Sequence, residues 1–304
     1  MSDAPSPFSP APPRRPVRLV VNADDFGVSE RVNSGIVRAH REGIVTATSL
    51  MAVGRAFEHA VRLSREAPAL DVGVHLTLVA ERPLRPDAAS LAGPDGRLPP
   101  GAGAFTLGWL TGRIRRAEVA AECSAQIERV LASGIRPSHL DSHQHVHVLP
   151  GLLDLARELA ARHGIPFVRV PLEGWRLDRP ITFYGVSRLI GAGALGAFAA
   201  LSAFWRPGPP GPRPPRFLGF HDGGRLDETR LRRLLGRLQA GENYELMCHP
   251  GLRPEEEELL RWGYGHEAEL QALTSRAVRA DLERLGIQLC TFKNLTSSNL
   301  CKGC

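Results

Sequence analysis

Short apolar runs rich in β-branched residues alternate along the chain with stretches whose apolar positions recur every three to four residues. Residues 17–21 form an apolar run of strand length, and 29–42 follow with Val32, Ile36 and Ala39 at helical spacing. Residues 46–53 read as a second strand, 57–65 as a helix and 70–78 as a third strand. The alternation continues with helix 116–133, strand 138–142, helix 152–163 ended by Gly164, and strand 166–170. It resumes with strand 217–220, helix 227–239, strand 244–248, helix 267–285 and strand 287–292. About seven strands separated by helices predict an α/β fold of parallel β-α units, closed as a barrel or laid out as an open sheet.

Between residues 171 and 216 the alternation stops. The stretch from Leu189 to Trp205 carries no charge, is bracketed by Arg188 and Arg206, and runs into a Pro-rich connector. Its 17 residues sit at the lower edge of what crosses a bilayer, and its many Gly and Ala make it only weakly apolar. A buried or lid helix is the plain reading, and an interfacial helix that meets lipid or a lipid-linked substrate is the alternative. The expected organisation is a disordered Pro-rich leader at 1–16, one catalytic domain at 17–293 with an apolar helical insertion at 171–216, and a polar tail at 294–304.

Composition narrows the class. A chain of 304 residues with 43% hydrophobic and 23% charged residues is globular. The net charge of +6 is spread over helical stretches rather than gathered in a block, which argues against a nucleic-acid partner. Five cysteines, an odd number in a long chain, do not make a secreted disulfide scaffold. Cys301 and Cys304 have CxxC spacing but no second such pair, so a frayed terminus is expected there. A cytoplasmic protein is expected, with a peripheral station on the inner membrane face as the variant reading. The oligomeric state stays open, a homo-oligomer included.

The chemistry gathers where strands end, which is where parallel β-α folds place their ligands. Asp24 and Asp25 directly follow the first strand, and Ser29 is better placed than Asp25 to cap the next helix. The third strand carries His75, and the fourth runs into SHLDSHQHVH from Ser138 to His147. His139, Asp141, His143, His145 and His147 share one face for as long as the chain stays extended, and that face is too polar for a core. His221 and His249 also lie at strand ends, whereas His40, His59, His163 and His266 fall in helical patterns or turns and read as structural. A carboxylate with two histidines suits a hydrolytic divalent metal, Zn²⁺, Mg²⁺ or Mn²⁺. The second acid is then available as a general base, and His249 is placed to protonate a leaving group.

The runs NADDFG (22–27), GVHLTL (73–78), DSHQHVH (141–147) and CHPG (248–251) resemble, in order, those of the YdjC-like carbohydrate deacetylases, which include chitooligosaccharide and hopanoid-biosynthesis deacetylases. The resemblance implies a distorted (β/α) barrel of the polysaccharide-deacetylase type, a divalent metal, and hydrolysis of an N-acetyl group from a sugar. It matches Asp25, His75 and His143 to metal ligands and Asp24 to the base that activates water at the metal. His249 is then the candidate acid, with His145 as the alternative. Asp141 is expected to orient a histidine, and His221 and Asp222 to contact substrate at the rim. The expected substrate is an N-acetylated sugar containing N-acetylglucosamine, either a soluble oligosaccharide or a glycolipid met through Leu189 to Trp205. Another metallohydrolase, an amidohydrolase or phosphoesterase, would use the same ligand types.

Overall fold

The computed structural model describes residues 15–173 and 212–300. The stretch from Leu189 to Trp205, most of the expected leader and insertion, and Cys301 and Cys304 lie outside the described residues.

Among the described residues, eight strands form one all-parallel sheet. In chain order they are β1 (Val17–Phe26), β2 (Ala47–Leu50), β3 (Asp71–Leu76), β4 (His139–Ser142), β5 (Phe167–Val168), β6 (Arg216–Leu218), β7 (Asn243–Cys248) and β8 (Ile287–Leu289). The sheet runs β5-β4-β3-β2-β1-β7-β6, with β8 paired to β1. β7 lines one edge of β1 over Arg18 to Ala23. The other edge is shared, with β8 against Val17 to Leu19 and β2 against Asn22 to Phe26. β1 is therefore the centre of the molecule, and its ten residues are buried apart from Arg18, as a strand covered on both faces requires.

The helices are α1 (Glu30–Arg41), α2 (Phe57–Glu66), α3 (Ala102–Leu110), α4 (Arg116–Ala132), α5 (Leu152–Arg162), α6 (Glu228–Leu235), α7 (Glu257–Leu260), α8 (His266–Leu273), α9 (Arg276–Arg284) and α10 (Phe292–Leu300). Period-two alternation divides the strand faces between two environments. Leu19, Val21 and Ala23 of β1 join the main apolar core under the helices. Val20 faces the interior of the curl, in a second cluster with Ala47, Phe167, Cys290, Phe292 and Leu295. α10 thus occupies residues expected as a polar tail, and its first residue, Phe292, stacks on His139 with ring centres 4.1 Å apart, closing the floor of the interior.

The curl brings the two ends of the sheet face to face. Arg169, next after β5, bonds Glu245 of β7 at 2.6 Å and lies over the Phe217 ring of β6 at 5.4 Å. Among the described residues β5 and β6 do not pair with each other, so the described sheet is a distorted, partly open β/α barrel. Every strand points its carboxyl end to the same rim, which gathers the chemistry there.

Candidate active site

Alternation alone would put Asp24 and Asp25 on opposite faces of β1. The register against β2 slips between Ala23 and Phe26, and Asp25 takes a left-handed backbone with φ 66°. That turn delivers both carboxylates to the rim. Ser29 caps α1 by accepting from the Val32 amide, so Asp25 is not spent on the helix. Asn33 Oδ1 accepts from the Gly27 amide at 2.6 Å and ties the turn to α1.

Asp25, His75 and His143 come together, with one ligand atom each within 4.8 Å of one another. His75 Nδ1 donates to Asp141 Oδ1 at 2.7 Å, which leaves Nε2, 3.3 Å from Asp25 Oδ1, as the ring atom available to an ion. His143 Nδ1 lies 2.8 Å from the same oxygen. Asp25 Oδ2 and His143 Nε2 are buried with no hydrogen-bond partner. Two imidazoles on one carboxylate oxygen, with Asp25 Oδ2 and His143 Nε2 left without partners, fit a divalent cation, and the mixed N/O set suits a hydrolytic ion. Burial alone would lower His75, but Asp141, Asp24 and Asp25 override it and push it up to about 10, the response of a site that draws in positive charge. Burial would likewise raise Asp25, yet His143 and His75 hold it well below the carboxylate range. A second grouping, Asp24 with His75 and Asp141, also converges. Both of its acids already face Arg169, so a cation there would meet a guanidinium.

Asp24 is held from below. Arg169 donates Nη1 to Oδ2 at 2.7 Å and Nη2 to Oδ1 at 2.8 Å, and Asn22 Nδ2 adds a bond to Oδ1 at 2.8 Å. Arg169 Nη2 also reaches Asp141 Oδ2 at 2.8 Å, and Nε reaches Glu245. The Arg169 carbonyl accepts from His147 Nε2 at 2.9 Å. Burial would raise Asp141, but Arg169 and His75 hold it down, while burial pushes Glu245 up to about 7 in spite of Arg169. Ser49 completes the network by donating to Asp141 Oδ2 at 2.7 Å and accepting from Asn22. Its remaining contact, His139 Nε2 at 3.0 Å, must then be the donor. Burial lowers His139 to about 4, so it is a neutral floor residue beneath the site.

Beyond Ser142 the chain does not stay extended. Gln144 and His145 adopt left-handed backbone, at φ 56° and 55°, and residues 143–148 form tight turns. The expected shared face of five residues is thereby split. His139 and Asp141 point inward, His143 joins Asp25, His147 bonds Ser142 and the Arg169 carbonyl, and His145 packs among Phe217, Phe220 and His147. Burial first, and Arg169 second, hold His145 well below the ordinary histidine value.

His249 follows β7 one step past the Ala23–Cys248 pair, so it stands alongside Asp24. Its amide donates to Glu269 Oε2 at 2.5 Å and its ring lies 4.6 Å from that of Tyr264. Trp262 continues this aromatic wall and faces the His143 ring at 4.9 Å. His221 and Asp222 lie in the loop after β6. That loop borders His249, since a Cβ on Gly223 would come within 3.3 Å of His249 Cε1, and the His221 amide bonds Glu173 at 3.2 Å.

The residues that sequence reasoning passed over are Arg169, Glu245, Asn22, Ser49, Trp262 and Tyr264. A signal existed for two of them, because an arginine in the short run 166–170 and a glutamate in 244–248 are charges inside otherwise apolar strands.

The family described as YdjC-like protein matches residues 18–284. The chain is 34% identical to a carbohydrate deacetylase of Geobacillus stearothermophilus, across 91% of this chain and 98% of that one. It is also 34% identical to a carbohydrate deacetylase of Homo sapiens across 92% of each, and 32% identical to a chitooligosaccharide deacetylase of an Enterobacter species across 91% and 98%. Among solved structures it is similar to an Enterococcus faecalis protein provisionally named as a cellobiose-phosphate cleavage protein, with a TM-score of 0.70 and 28% identity over 92% of this chain and 99% of that one. With a match over most of its length and relatives aligned nearly end to end, the chain belongs to the YdjC-like family.

Proposed function

We propose that this protein is a metal-dependent carbohydrate deacetylase that hydrolyses an N-acetyl group from an N-acetylated sugar, N-acetylglucosamine in an oligosaccharide or glycolipid being the substrate the reading favours. The observation that carries it is the convergence of Asp25, His75 and His143 beside an acid, Asp24, that is oriented independently by Arg169 and Asn22. The names of the relatives, carbohydrate and chitooligosaccharide deacetylase, supply the substrate class.

Asp25, His75 and His143 would hold the ion, Mg²⁺ or Zn²⁺. Bound there, a divalent ion polarises the amide carbonyl and acidifies water. Asp24 takes the proton of the attacking water, and its two bonds to Arg169 hold the carboxylate in place. Asp141 fixes the His75 tautomer so that Nε2 is the free ligand atom. His249, next to Asp24 at the rim, donates a proton to the departing amine. His145, walled by Phe217 and Phe220 and held neutral by burial, is the weaker candidate for that step.

Acetate release from N-acetylglucosamine oligomers and from an N-acetylglucosaminyl lipid, measured on metal-loaded protein, tests the proposal. Asp24→Asn keeps the shape and removes the base, so kcat should fall by about 10²–10⁴-fold. Full activity in that variant, or no acetate from any donor with the wild type, would refute it. The last outcome would move the site to another acyl or phosphoryl substrate.

A further inference from the structure

β7 ends at Cys248, and the chain turns away through His249, Pro250 and Gly251. Pro250 has no N–H with which to extend the ladder, so the amide and carbonyl of His249 need partners elsewhere. Both come from α8. Glu269 Oε2 accepts from the His249 amide at 2.5 Å, and His266 Nδ1 donates to the His249 carbonyl at 2.9 Å. The two side chains are three residues apart and so stand on one face of the helix. Just ahead of them, Tyr264 lays its ring 4.6 Å from that of His249.

The turn has no slack on its other sides. The Gly251 amide donates to the His266 carbonyl at 3.2 Å, and the Leu252 amide to the Arg31 carbonyl of α1 at 3.2 Å. A Cβ on Gly35 of α1 would come within 2.4 Å of the Gly251 Cα, and one on Gly251 within 3.3 Å of the His266 ring. Residues 249–251 are therefore pressed between α1 and α8. Glu269 Oε1 also accepts from the Leu226 amide at 3.1 Å, which binds the loop after β6 to the same carboxyl.

These bonds are costly to keep. A carbonyl only accepts, so His266 Nδ1 carries the proton, and Nε2 is left as a bare lone pair, buried without a partner among the described residues. Glu269 is a fully buried carboxyl. An apolar residue at either position would spare the fold a desolvated polar group. What the pair secures instead is the placement of a ring that stands alongside Asp24.

We propose that His266 and Glu269 are positioning residues for the reaction, holding the His249 peptide at both ends so that its imidazole is aimed at the departing amine. The inference rests on the deacetylase reading, in which His249 is the acid, and adds to it two residues that act through that acid.

The test measures kcat and KM for acetate release from N-acetylglucosamine oligomers by metal-loaded wild type, His266→Leu, Glu269→Gln, His249→Ala and the double variant His249→Ala/His266→Leu. His266→Leu and Glu269→Gln should each lower kcat by about 10–100-fold with KM unchanged. His266→Asn, whose amide nitrogen can donate the same bond, should restore most of the loss. In the double variant the loss should be no greater than in His249→Ala alone, because His266 acts through His249. Leu273→Ala, which loosens α8 from the core without touching the turn, should leave kcat near that of the wild type. Losses that multiply in the double variant, or a Leu273→Ala loss as large as that of His266→Leu, overturn the inference while the deacetylase reading stands. If the wild type releases no acetate from any donor, that reading falls, and the His249 ring signal in a ¹H–¹³C spectrum decides the clamp separately. A signal that moves in His266→Leu and not in Leu273→Ala sustains it, and one that moves in neither, or in both alike, overturns it.

Discussion

Asp24 and Asp25 are adjacent in the chain and opposite in their surroundings. Asp24 is gripped by a guanidinium from below, and Asp25 faces two imidazoles at the rim. Their pairing was legible in the sequence, as were His75 and His143, because each lies next to the end of an apolar run. The backbone turn that puts the two acids on one side, and costs about 1–3 kcal/mol, left no mark in the pattern. Arg169 and Glu245 stood out in the sequence only as charges inside apolar runs, and their meeting was not legible because it depends on the curl of the sheet. Burial also creates a pH effect. Glu269 accepts from the His249 and Leu226 amides in a dry position that pushes it up to about 7. A carboxyl that is easier to protonate in the fold than in the open chain stabilises the fold at low pH and loses that contribution as pH rises through 7. In urea unfolding, the stability margin of the wild type over Glu269→Gln should shrink by about 3 kcal/mol between pH 5 and 8. An unchanged margin would show that Glu269 ionises as freely in the fold as outside it.

At the scale of elements, the strand and helix alternation was readable because parallel strands buried on both faces are continuous apolar runs. The failures were local and physical. β4 stops at Ser142, where the left-handed residues Gln144 and His145 replace extension by turns. α3 has no polar side to give it a helical signature, and residues 292–300, polar in composition, are helical because Phe292 and Leu295 have an interior to fill. Phe292 packs on His139 and, at 5.5 Å, on Phe167. Phe292→Ala should therefore cost about 3–5 kcal/mol in urea unfolding, since it opens a cavity on the floor that neighbouring strands cannot close. A loss under 1 kcal/mol would mean that α10 is a passive terminus.

For the whole molecule, a cation shared by β1, β3 and the turn after β4 would clamp three parts of the sheet. Adding Zn²⁺ or Mg²⁺ to chelator-stripped protein at about a thousand times its dissociation constant should stabilise it by about 4 kcal/mol. Differential scanning fluorimetry should show Tm rising by several degrees in the wild type and not in Asp25→Ala. Equal shifts in both would place the ion elsewhere.

The arrangement around β1 also governs how the molecule is made. β2 arrives soon after it, but β7 and β8 come from residues 243–289. While the chain is being translated, the opening strand must wait with its amides and carbonyls from Arg18 to Ala23 exposed, and such an edge recruits any other strand it meets. Contacts that join the first and last parts of the chain are slow to form. Until residues 243–289 arrive, that open edge is the part of the sheet most exposed to wrong pairing, and their arrival is what closes it.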